Sequence, residues 1–109
     1  MAIVKTLIGN VKGQPGQDGL FTKHNFTATI GTTWTGTVAP YTQTVSVDGI
    51  LSSDSPIVDI IPSDDFSIAE AQLEVFGYIY RIAVSDGSIT VYSTETTTTE
   101  ITIRMEVFR

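Results

Sequence analysis

In EITIRMEV, residues 100–107, apolar side chains at Ile101, Ile103, Met105 and Val107 alternate with Thr102, Arg104 and Glu106. A period of two places one set on each face of an extended chain, so this segment reads as a strand with one buried and one wet side. The same texture of threonine, valine and isoleucine runs back to Asn25. NFTATI and TWTGTV read as the first two strands, broken at Gly31. YTQTVSV follows Pro40, with Thr42, Thr44 and Ser46 pointing one way and Tyr41, Val45 and Val47 the other. Asp48-Gly49 then marks a turn. The hydrophobic share of 41% against 17% charged residues fits a globular chain, and 109 residues bound it to one domain.

PIVDII, residues 56–61, is almost continuously apolar between Pro56 and Pro62, the pattern of a strand covered on both faces or lying at a subunit contact. The period changes in SDDFSIAEAQLEVFGYI. Phe66, Ala69, Leu73 and Phe76 share one helical face, Ser63 is a candidate N-cap, and Asp64 and Asp65 fall where the helix dipole favours negative charge. A single helix over residues 64–77 is predicted, ended or kinked at Gly77. YRIAVSDGSITVYS then reads as a hairpin turning at Asp86-Gly87, and TETTTTE as a loop or exposed strand extension. The predicted fold is mainly β, an antiparallel β-sandwich-like head with one α-helix, preceded by an extended N-terminal segment. Val45, Val47, Ile57, Val58, Ile60, Ile61, Leu73, Phe76, Ile82, Ile89, Val91, Ile101 and Ile103 are its predicted core.

Ahead of this head the chain divides into an anchor or assembly segment, residues 1–12, and a glycine-rich spacer, residues 13–24, leaving residues 25–109 for the head. MAIVKTLI is apolar or β-branched and cannot bury itself alone. It either adds a strand to the head or packs on copies of itself or on another protein. In GQPGQDG, Gly13, Gly16 and Gly19 keep the collagen spacing, in which only glycine fits an axis shared by three chains. The same composition suits a plain Gly/Pro linker.

Little in the chain names a reaction. Without cysteine there are no disulfides, thiolate nucleophiles or thiolate metal sites. His24 lacks the nucleophile and orienting group of a catalytic base. Asp54, Asp59, Asp64 and Asp65 match no calcium-loop spacing, and Asp64 and Asp65 are already accounted for by a helix start. Asn25-Phe26-Thr27 matches the glycosylation tripeptide but lacks a secretory context. Trp34 either fills the space between sheets or joins Tyr41, Tyr78, Tyr80 and Tyr92 in a saccharide-stacking platform, with Trp34, Tyr41 and Tyr92 as the candidate contacts. Residues 48–109 hold eleven acids against three arginines, a balance that argues against nucleic acid. No apolar run is long enough to span a bilayer, and no cofactor is called for.

IVKTLIGNVKG with its two Gly-x-y triplets, PYTQTVSVDGI, SPIVDIIPSDD and AVSDGSITVYSTE together resemble small structural proteins of tailed bacteriophages and prophages of Gram-positive bacteria. In that group a short N-terminal segment, often with a collagen-like stretch, precedes a β-rich head in a virion fibre or appendage. The resemblance implies a non-enzymatic homotrimer in the virion, with Gly13, Gly16 and Gly19 in a trimer stem. Residues 1–12 would attach it to another virion protein. A host-recognition tip binding surface saccharide is the alternative.

Overall fold

A computed structural model describes residues 21–109. The anchor segment and Gly13, Gly16 and Gly19 lie outside the described residues. The elements run β1 (Lys23–Ile30), β2 (Tyr41–Ser46), β3 (Ile57–Ile61), α1 (Phe66–Tyr78), β4 (Ile79–Ser85), β5 (Ser88–Ser93) and β6 (Ile101–Phe108). They form two antiparallel three-stranded sheets, ordered β1-β6-β3 and β2-β5-β4. Strands β1 and β3 both run antiparallel to β6, so they point the same way, with Lys23 and Ile57 at the Glu106–Phe108 end.

Alternation along the central strands builds the core. Ile101, Ile103, Met105 and Val107 of β6 and Ile89 and Val91 of β5 are buried, flanked by Ala28 and Ile30 of β1 and Ile60 of β3. The inner faces of both sheets meet in a single apolar cluster, as a two-layer sandwich requires. Val45, Val58, Phe76 and Ile82 pack half-buried against it.

Several expectations are corrected. TWTGTV is a loop, joined to the sheet only by a bridge between Thr35 and Thr42. It carries Gly36 at φ +119°, a backbone conformation that no regular strand holds. Ile57 and Ile61, predicted as core, lie on the outer face of β3, 60% and 39% exposed, because a period of two lets only Val58 and Ile60 face inward.

The helix turns part of the expected face outward, while Ala69 and Phe76 of that face stay half-buried. Leu73 is 54% exposed and Phe66 78%, whereas Val75 is buried. The helix carries apolar residues nearly all round, so periodicity alone does not choose a face. Gln72 contributes to the choice: its side-chain oxygen accepts the Ser63 N–H at 2.8 Å, and its amide nitrogen points at the Glu100 carbonyl at 3.5 Å. The N-cap is Asp65 rather than Ser63, its carboxylate accepting the Ile68 N–H at 3.1 Å, and the helix runs through Gly77 to Tyr78. At the other boundary β1 starts at Lys23, and Thr22 already exchanges backbone bonds with Arg109 at 3.0 and 3.2 Å, so the head takes in the end of the expected spacer.

Candidate functional site

Among the described residues two surfaces stand apart from ordinary sandwich exterior. The first is the outer face of β2-β5-β4, where register places Thr42 beside Tyr92 and Thr44 beside Thr90. A bulge in β4 at Tyr80 brings an extra residue to this face. The Tyr80 and Tyr92 rings lie 6.2 Å apart and tilted at 55°, and the Arg81 guanidinium sits 4.7 Å from the Tyr92 ring centre. Arg81 therefore covers one face of Tyr92 through a cation–π contact.

Trp34, Tyr41 and Tyr92, the candidate saccharide contacts, are not brought together. Tyr41 pairs with Ser93 and Thr42 with Tyr92, so Tyr41 and Tyr92 face opposite sides of one sheet. Trp34 packs against the core, its indole N–H donated to the Thr97 hydroxyl at 2.9 Å. Of the aromatics named from the sequence, Tyr80 does meet Tyr92, and the member of this cluster that the sequence did not point to is Arg81. The signal lay in the bulge, which places Tyr80 and Arg81 together against Tyr92 and which a period-two reading does not foresee.

The second surface is the open side of the sandwich, where the β3 edge of one sheet faces the β4 edge of the other. Pro56 and Val58 form one wall of a groove of about 290 Å³, Ile79 to Ile82 form the other, and Phe76 contributes from the helix. Ile57 and Ile61 of β3 and Phe66, Ile68 and Leu73 of α1 are also exposed. Scattered apolar residues are normal on a surface.

Several charged groups hold the fold. Arg109 donates to both carboxylate oxygens of Asp54, at 2.8 and 3.2 Å, and to the Gly49 carbonyl at 2.9 Å. The Asp54 carboxylate also accepts the Leu51 N–H at 2.9 Å. The Arg109 hydrogen bonds hold the Asp54 carboxyl below its usual range, the Leu51 N–H adds to that, and partial desolvation opposes it. Asp59 pairs with Arg104 at 3.6 Å, and Asp65 caps α1. Tyr78 donates to Glu74 at 3.0 Å one helical turn away, which raises the phenol above its ordinary value. His24 is half-buried in β1 opposite Val107. Among the described residues no group of three or more His, Cys, Asp and Glu is placed to hold a metal ion.

No family model, no curated protein and no solved structure matches this chain.

Proposed function

We propose that this chain is a virion structural subunit of a tailed phage, working as a homotrimer by assembly and surface attachment. The observation that carries the reading is the apolar outer face of α1, where Phe66 and Leu73 stand exposed on a helix 13 residues long. A lone head would leave that face in water. A neighbouring copy against it removes roughly 25 cal/mol from the free energy for each Å² of apolar surface covered. The virion setting rests on the resemblance in the sequence, and the architectural role on charged groups that are occupied in clamps and caps. Of the alternative, a saccharide-binding tip, little is favoured, since Arg81 already occupies one face of Tyr92.

Sedimentation of the full-length protein at micromolar concentration tests this. A trimer is expected, and Phe66→Ser with Leu73→Ser should convert it to monomer with an unchanged circular dichroism spectrum. A monomeric starting protein rejects the reading. Saturable binding to a panel of cell-wall saccharides by the unsubstituted protein would favour the tip instead.

A further inference from the structure

The free edge of β3 carries a pattern that recurs in the chain outside the described residues. Among the described residues β3 pairs with β6 alone, and the N–H of Ile60 is taken by the carboxylate of its own neighbour Asp59, at 2.8 Å. That amide therefore lies on the side away from β6. A side chain of β3 itself occupies a backbone donor that a further strand would use. The outer face of this edge reads Ile57, Asp59, Ile61: apolar, acidic, apolar. Residues 1–8 are MAIVKTLI, in which Ile3, Lys5 and Leu7 read apolar, basic, apolar at the same period of two.

We propose that residues 2–8 add to the free edge of β3 of the same chain as a fourth, antiparallel strand, with Lys5 opposite Asp59. Ile3 then stands opposite Ile61 and Leu7 opposite Ile57, and each covers an exposed isoleucine. Val4 and Thr6 fall opposite Ile60 and Val58, whose backbone groups face the free edge. Their side chains point inward, toward the groove beneath Val58 that Phe76, Ile79 and Ile82 line. Lys5 joins Arg104, which already lies 3.6 Å from the Asp59 carboxylate, and by drawing that carboxylate off the Ile60 N–H releases the donor to the carbonyl of Val4. Strand addition of this kind takes its affinity from main-chain bonds and its register from alternate side chains.

Chain length and direction agree with closure on the same head. An antiparallel strand on β3 ends at Ile8 beside Ile57, and β1 begins at that same end of the sheet. From there to Lys23 the chain crosses three strand spacings, about 14 Å at 4.8 Å each. Fourteen residues separate Ile8 from Lys23. A glycine-rich coil of that length has a root-mean-square span of roughly 20 Å, close to the distance needed, which is where the effective concentration of a tethered segment peaks. Gly13, Gly16 and Gly19 then serve a linker rather than a stem. This inference does not rest on the assembly reading, because it uses the β3 edge and not the outer face of α1.

The chain contains no cysteine, so an introduced pair reports without background. In full-length protein, Ile3→Cys with Ile61→Cys places two thiols at directly opposed antiparallel positions, about 4.5–5.5 Å apart between Cα atoms, within disulfide range. Under mild oxidation this pair should close within one chain, at monomer mass on a non-reducing gel, at least about tenfold faster than the off-register pair Ile3→Cys with Ile57→Cys. Leu7→Asp in the otherwise unchanged chain should speed amide exchange at Val58 and Ile60 by at least tenfold, roughly, as their partners are lost. A disulfide joining two chains assigns the edge to a neighbouring copy and overturns the proposal. Equal rates for the two pairs, or exchange at Val58 and Ile60 indifferent to Leu7→Asp, also overturns it and leaves Asp59 as a charge that only blunts a bare edge. Substituting Phe66 and Leu73 should leave both readouts unchanged, so failure here is distinguishable from failure of the trimer.

Discussion

The indole N–H of Trp34 is donated to the hydroxyl of Thr97 at 2.9 Å, across 63 residues of sequence. This bond ties the loop between β1 and β2 to the threonine-rich loop between β5 and β6. Thr97 is buried, although its surroundings, TETTTTE, are polar throughout. Thr97→Val keeps the shape and removes the acceptor, leaving a partly buried donor unpaired. A loss of about 1–3 kcal/mol in urea unfolding is expected, with Trp34 fluorescence shifted to the red. Thr98→Val, at an exposed neighbour, should stay within about 0.5 kcal/mol.

The orientation of α1 makes a prediction opposite to the one its periodicity suggests. Leu73→Ala should change stability by no more than about 0.5 kcal/mol in a monomeric background, since Leu73 points outward. Val75→Ala removes buried methyl groups and should lose about 2 kcal/mol, counting transfer and residual cavity together. Chemical denaturation of the two variants side by side checks the assignment. A larger loss at Leu73 would return the helix to the face first expected.

These residues also show where sequence and structure part company. The strands of EITIRMEV and SITVYS were readable because a sandwich buries alternate positions, and Ile89, Val91, Ile101 and Ile103 are all fully enclosed. Asp86-Gly87 named its hairpin, with Gly87 at φ +79° as that turn demands. TWTGTV has the composition of a strand, yet Gly36 at φ +119° interrupts its extended run. The helix face drew on contacts that no period encodes, those of the Gln72 amide among them. Tyr80 came to the Tyr92 face through a bulge, which no fixed period encodes.

Gly49 and Gly87 are linked, and they should respond differently to a methyl group. The two turns that carry them are stapled by the Val47 N–H to the Gly87 carbonyl at 2.9 Å and the Gly87 N–H to the Ile50 carbonyl at 2.8 Å. Both have positive φ, so alanine at either meets the left-handed penalty of roughly 1–2 kcal/mol. A Cβ at Gly87 meets nothing within 4 Å, whereas one at Gly49 comes within 3.3 Å of the Phe26 ring. Gly49→Ala should therefore lose more stability than Gly87→Ala, and Gly87→Asn less than either, because asparagine tolerates this region. Thermal melts of the three variants decide the order.

The Asp54–Arg109 clamp gives the fold an acid limit. Arg109 lies at the C-terminal end of the chain, and its guanidinium ties the segment after β6 to both the Gly49 turn and the Asp54 loop. Its hydrogen bonds hold the Asp54 carboxyl below the ordinary value in the folded state. The folded protein thus binds a proton at Asp54 less readily than the unfolded chain does. The resulting stability is fully present above the unfolded aspartate value of about 3.9 and is lost as pH falls through the lower folded value. Arg109 stays charged throughout, since Asp54 pushes its guanidinium in the direction of still stronger retention of the proton. Melting temperature followed from about pH 7 down to about pH 2 should show an acid-side decline, and Asp54→Asn should lower the neutral plateau and flatten that decline. Arg109→Gln should do the same through the other partner, and the double variant should show no further loss than the larger of the two. Additive losses would mean that the residues act separately, and that the short contact between them contributes nothing to the pH dependence.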